Sequence, residues 1–185
     1  MGGGVGISCH GSHRIVSETS KIAMPECSIG LVPDVGGSLL LARAPSNLGY
    51  YLGITGIQMD AADAIYAGFA DCYIPKNEWS YVIESLEKSG DASIIHKYLK
   101  DPGESQLSKS AKFFEAAFKS KKLSQIVKFL FKSENPLAHL ASQKIKKNCP
   151  IAMTYTLEML SRLTPTSKIE DALDLEYRFT SRAQE

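Results

Sequence analysis

Between Met24 and Gly37 the chain reads Met-Pro-Glu-Cys-Ser-Ile-Gly-Leu-Val-Pro-Asp-Val-Gly-Gly, an apolar run interrupted by two acids, Glu26 and Asp34, each set among prolines and glycines. Apolar runs normally exclude acids, because a carboxylate withdrawn from water needs hydrogen bonds or a proton in place of its hydration. Two ordinary reasons remain for these residues: a satisfied structural hydrogen bond, or service as acid, base or nucleophile. Pro25 holds Met24 extended and sets Glu26 at a strand exit, where functional side chains are commonly presented. Asp34 falls where an N-cap of the following helix would fall, a role that needs no catalysis; the two roles can coexist.

A chain of 185 residues suffices for one domain with a sizeable core, or for a compact unit with a helical appendage. No apolar run approaches the roughly 18 residues of a membrane span, so the expectation is no membrane partner. Cys9, Cys27, Cys72 and Cys149 are scattered, without a C-x-x-C pair or a histidine at ligand spacing. That pattern favours buried free thiols over a metal site or a disulfide framework, and with no leader ahead of the first glycines the expected location is the cytoplasm. Lys97 to Lys147 holds twelve lysines, no arginine and four acids, Asp101, Glu104, Glu115 and Glu134. The lysines alternate with apolar residues as on a solvated helix face, and readers of bases favour arginine, so no nucleic-acid partner is expected; an anionic partner or cofactor tail stays the alternative.

Taken in order, Gly2-Gly3-Gly4 with Val5-Gly6-Ile7-Ser8 reads as a glycine turn opening a short helix whose unpaired N–H groups suit an anion or a developing oxyanion; a flexible leader is the plain alternative. Alternation predicts a strand over 13–19 and a second over 21–24. His10 and His13 flank the turn before it and read as packed or surface histidines rather than ligands. Helices follow at 35–44, 47–54 and 59–68, then a strand at 69–75 and a helix from Lys76 to about Lys88. Beyond Asp91 helical periodicity takes over, with Phe113, Phe114, Ala117 and Phe118 on one stripe, and Ile126, Val127, Leu130 and Phe131 on the next. Prolines 136, 150 and 165 introduce helices near 136–147, 150–163 and 167–183. Met153, Leu157, Met159 and Leu160 read as core.

The opening Met1-Gly2-Gly3-Gly4-Val5-Gly6, then His10-Gly11-x-x-Arg14, then Met24-Pro25-Glu26-x-x-Ile29-Gly30-x-x-Pro33-Asp34-Val35-Gly36-Gly37, together resemble the crotonase (enoyl-CoA hydratase/isomerase) superfamily, most narrowly its 3-hydroxyisobutyryl-CoA hydrolase branch. Ala67-Gly68-Phe69-Ala70-Asp71-x-Tyr73-Ile74-Pro75 and Leu175-Glu176-Tyr177-Arg178 are similar to that branch too. The resemblance implies an α/β fold: the C-terminal part of a crotonase fold over 1–90, short strands with helices, followed by an all-helical region over 91–185. It implies that the Gly3 N–H is an oxyanion donor, that Glu26 is the catalytic carboxylate and that Asp34 is the second acid. Hydratases of the superfamily carry a glutamate at the place of Gly6 and usually no acid at the place of Asp34. The exchange points to hydrolysis of a short 3-hydroxyacyl-CoA thioester, as in valine breakdown, with enoyl-CoA hydration or isomerisation, or a non-catalytic scaffold or inactive truncated product, as alternatives. No metal and no cofactor are expected; coenzyme A arrives as part of the substrate. Relative to the family the N-terminal half, with the other oxyanion donor and much of the coenzyme A pocket, is missing, so a homo-oligomer or a companion chain supplying it is expected.

Overall fold

The computed structural model describes residues 1–183. Its centre is a helix that could sit nowhere else: Leu48–Thr55 (α3), Leu-Gly-Tyr-Tyr-Leu-Gly-Ile-Thr, is apolar on every side and only Tyr50 escapes full burial. A helix without a polar face has to be surrounded. Gly37–Arg43 (α2), Ala111–Ala117 (α6), Pro136–Ile145 (α8) and Pro150–Arg162 (α9) pack around it. Gly49 makes the α2 crossing possible, since a Cβ there would lie 1.8 Å from the Leu41 carbonyl oxygen. Tyr51 packs at a tilt of 49° against Phe114, ring centroids 4.8 Å apart, and meets Phe118 edge-on. One cluster of buried residues runs from Val5 through Leu41 and Tyr51 to Phe118, Ala141 and Leu157, so residues before and after position 91 share a core.

The sheet is small. Ile15–Val16 (β1) pairs in parallel with Cys72–Tyr73 (β2), Ile15 opposite Cys72 and Val16 opposite Tyr73. The strand expected over 13–19 ends at Val16 because Ser17 turns on itself: its N–H donates to the Ser20 hydroxyl at 2.9 Å and its carbonyl accepts from the Ser20 N–H at 3.0 Å. Such local side-chain bonds compete with a sheet ladder. The stretch 21–24 contributes only the antiparallel bridge of Ile22 to Met59, and Tyr73 gains a bridge to Lys100, beyond the point where strand signals stop. Arg14 ties the sheet's end together. Its backbone N–H and Nε donate to Asp71 Oδ2, both at 2.9 Å, Nη2 pairs with Oδ1, and Nη1 donates to the Gly68 and Cys9 carbonyls.

The helices otherwise fall where proline, glycine and caps place them: Ala61–Tyr66 (α4) under an Asp60 cap that accepts from the Asp63 N–H at 2.9 Å, Trp79–Ser89 (α5), Leu123–Lys132 (α7) and Ile169–Thr180 (α10). On α7, Ile126 and Leu130 are buried, whereas Val127 and Phe131 face outward. All four thiols are free; Cys9 and Cys27 are buried, but Cys72 and Cys149 only half so. Every lysine of the 97–147 block is exposed except half-buried Lys121, which lies over the Tyr50 ring and donates to Asn47 Oδ1. No helix among the described residues is long and apolar enough to cross a membrane.

Candidate active site

The first element of the site is Gly3–Ser8 (α1), a single helical turn and a half entered through Gly2 at φ 62°. The Val5 and Gly6 N–H groups already turn back to the Gly2 carbonyl, which leaves those of Gly3 and Gly4 to open the helix. Both residues are exposed. Beside them, Glu26 begins a 3-10 turn, Glu26–Ile29, entered from Pro25 and closed by Gly30 in the left-handed region. This turn is pinned from three sides. The Leu31 N–H donates to the Glu26 carbonyl at 3.0 Å, the Cys27 carbonyl accepts from the Cys149 N–H at 2.8 Å, and Gly56 lies so close under Pro25 that a Cβ would stand 2.8 Å from its Cα.

Glu26 is 5 % exposed, and among the described residues its buried Oε2 has no hydrogen-bond partner. Its Oε1 lies against Gly2, 3.1 Å from where a Cβ would be. Burial pushes its carboxyl up to about 7; the charges of Asp34 and Glu176 add to this, and its own backbone N–H and the terminal ammonium oppose it. A carboxyl that changes state near neutrality can take and return a proton, and its buried Oε2 keeps an unused hydrogen-bonding position.

Asp34 is half-buried, and burial raises its carboxyl as well. The N-cap role expected of it is not what the structure contains. Gly36 holds that place at φ 75°, and only the Asp34 backbone carbonyl serves the turn, accepting from the Gly37 N–H at 2.8 Å. The carboxylate that takes the amides of Gly36 and Ser38 belongs to Glu176 on α10, at 2.9 and 3.1 Å. Among the described residues the Asp34 carboxylate has no hydrogen bond to another residue.

Val35, next to Asp34, has φ 54°, rare for a β-branched residue and a conformation kept where surroundings impose it. It packs on α1: a Cβ at Gly6 would meet the Val35 carbonyl oxygen at 2.6 Å and its Cβ at 2.7 Å. The space a side chain at position 6 would need is therefore filled by the turn that carries Asp34. Glu26, Asp34 and the Gly3 helix start thus share one corner of the molecule. Glu176 joins them without having been singled out in the sequence as a site residue, although an acid one turn beyond Ala172 on α10's buried stripe was a readable sign.

Glycine-led helix, parallel strand pair and acid-bearing turn place the molecule in the crotonase class of folds. An enoyl-CoA hydratase structure from Rhodobacter sphaeroides superposes with a TM-score of 0.94 at 48 % identity, over all of this chain and 53 % of that one. A carnitinyl-CoA dehydratase structure from Mycobacterium thermoresistibile gives 0.94 at 36 % identity, over 99 % of this chain and 54 % of that one. Curated relatives include the mitochondrial 3-hydroxyisobutyryl-CoA hydrolases of Gallus gallus, 31 % identical over 191 residues (97 % of this chain, 49 % of the relative), and of Mus musculus, 34 % over 197 residues (100 % and 51 %). A family model described as enoyl-CoA hydratase/isomerase matches residues 1–185, and the chain belongs to that family. It spans about half the length of the curated relatives it matches.

Proposed function

We propose that this chain carries the acid side of a site that hydrolyses a short 3-hydroxyacyl-CoA thioester of the 3-hydroxyisobutyryl kind. Glu26 acts as general base, or alternatively as a covalent nucleophile, Asp34 orients it or the attacking water, and the Gly3 N–H stabilises the oxyanion. In the base mechanism Glu26 takes a proton from water as its oxygen adds to the thioester carbonyl. Negative charge collects on the carbonyl oxygen at the Gly3 amide, a donor typically worth about 3 kcal/mol. Collapse breaks the carbon–sulfur bond, and the proton on Glu26 passes to the leaving thiolate, giving the free acid and coenzyme A. Coenzyme A enters only as part of the substrate. The observation that carries this reading is the filled space at Gly6: Val35 occupies it, so no second acid fits there, while Asp34 stands on the same turn.

Release of free coenzyme A from 3-hydroxyisobutyryl-CoA by the natively purified protein tests it. Loss of at least about a hundredfold in Glu26→Gln is expected, and equal rates would overturn the assignment. Hydration of an enoyl thioester is the second reading, supported by the 48 % identity to a structure described as an enoyl-CoA hydratase. Fast loss of crotonyl-CoA absorbance without thiol release would put it first. We further propose that the second oxyanion donor and much of the coenzyme A pocket come from additional polypeptide, a partner copy or a companion chain, which the native mass reports. The four free thiols suit a reducing compartment, and we propose the cytoplasm, to be checked by fractionation because the curated relatives above are named mitochondrial.

A further inference from the structure

Glu176 lies about 140 residues from the turn it holds and is 3 % exposed. Its Oε2 accepts from the Gly36 N–H, and its Oε1 accepts from both the N–H and the hydroxyl of Ser38. The same helix reaches the turn a second time through Ile169, whose Cδ1 stands 2.6 Å from where a Cβ on Gly36 would be, and His10, just after α1, closes in from another side with Nε2 at 2.5 Å. An ordinary helix start would be capped by its own preceding acid. Here a remote carboxylate has taken that duty, and Asp34, which sequence position would make the cap, keeps its carboxylate unengaged beside Glu26. Directly before the clamped Gly36 stands the left-handed Val35, whose main chain fills the space at Gly6. A buried carboxylate is an expensive way to cap a helix, and its two oxygens are spent on the one turn that carries the second acid.

We propose that Glu176 is a positioning residue: through the Gly36 and Ser38 amides and the Ser38 hydroxyl it fixes the Asp34–Ser38 turn, and thereby the place of Asp34 relative to Glu26. It touches no reacting atom. Its kinetic consequence rests on the hydrolytic reading above, in which Asp34 assists Glu26.

The test is a double-mutant cycle on coenzyme A release by the natively purified protein, with Asp34→Asn as the second position. Glu176→Gln keeps the shape but offers a single acceptor oxygen. It is expected to lower kcat about tenfold or more with KM within about twofold, and to lower kcat less than about twofold in the Asp34→Asn background. Equal losses in both backgrounds would mean a merely structural role and overturn the inference, as would an unchanged kcat. Ser38→Ala, which removes one contact and spares both amides, carries the same cycle with a smaller loss if Glu176→Gln fails to fold. Should Glu26→Gln cleave the thioester at the wild-type rate, the hydrolytic reading fails on its own. The clamp is then judged by amide hydrogen exchange: about tenfold or greater acceleration at Gly36 and Ser38 in Glu176→Gln sustains it, and unchanged exchange overturns it.

Discussion

Two glycines of α1, two positions apart, meet opposite surroundings. A Cβ at Gly4 would meet nothing within 4 Å, whereas at Gly6 it would press into the Val35 main chain. Alanine ordinarily stabilises a helix position over glycine by up to about 1 kcal/mol, so Gly4→Ala should raise the melting temperature. Gly6→Ala should instead lower stability by about 1–3 kcal/mol, the usual cost of overpacking, and Gly6→Glu by more, without conferring hydration of crotonyl-CoA. Denaturant titrations and the crotonyl-CoA absorbance check both; a stable Gly6→Glu protein would remove the steric argument against a second acid there. Asp34 yields a prediction of the same kind. Because Glu176 holds the α2 amides, Asp34→Asn should leave stability within about 0.5 kcal/mol of wild type, where loss of an N-cap would take about 1 kcal/mol, while coenzyme A release falls.

At the scale of elements, the segment from α1 to β1 depends on Arg14, whose fork on Asp71 fixes the start of β1 against the start of β2. The resemblance to the family includes this arginine, and the structure gives it a scaffolding place rather than one at the Glu26 corner. Hydrogen bonds from Arg14 hold the Asp71 carboxyl below its ordinary value. The folded chain therefore binds that proton less readily than the unfolded chain, and the stability so gained is present above the ordinary value and lost as pH falls through the lowered one. With the Asp71 side chain 39 % exposed, Asp71→Asn should cost only on the order of 1 kcal/mol at pH 7, a difference that should vanish toward pH 2 in acid titrations. Elements were legible in the sequence wherever they are made locally: Asp60 caps α4, prolines open α8 and α9, and Gly30, Gly56 and Gly90 take left-handed turns. Strand lengths were not, because Ser17 and Ser20 bond each other instead of a neighbour strand. Nor was the Glu176 clamp, because nothing in a helix's own pattern says that its buried acid will meet amides some 140 residues away.

Over the whole molecule, two groups of opposite sign make folding sensitive to pH on either side of neutrality. Glu26 is pushed up to about 7 by burial, so above its ordinary 4.5 the folded chain holds a proton that the unfolded chain has lost. Stability must then fall as pH rises from about 4.5 to about 7, by on the order of 3 kcal/mol for this residue; Asp34 and Glu176, also raised by burial, act in the same direction. Lys121 is pushed down to about 8 by burial, so between there and 10.5 the unfolded chain holds the extra proton and stability must rise with pH. The thiols limit that rise: burial raises Cys9, Cys27 and Cys72, Cys27 to about 11, and each of them draws stability down above pH 9. The minimum belongs near pH 7 to 8, where Glu26 and Lys121 are both charged in a partly desolvated place. Glu26→Gln should flatten part of the acid limb and Lys121→Met the short alkaline one, each leaving the other limb intact in urea titrations across pH. An acid limb unchanged in Glu26→Gln would mean that Glu26 ionises like a surface glutamate, and the base assigned to thioester hydrolysis would lose the property that suits it to that work.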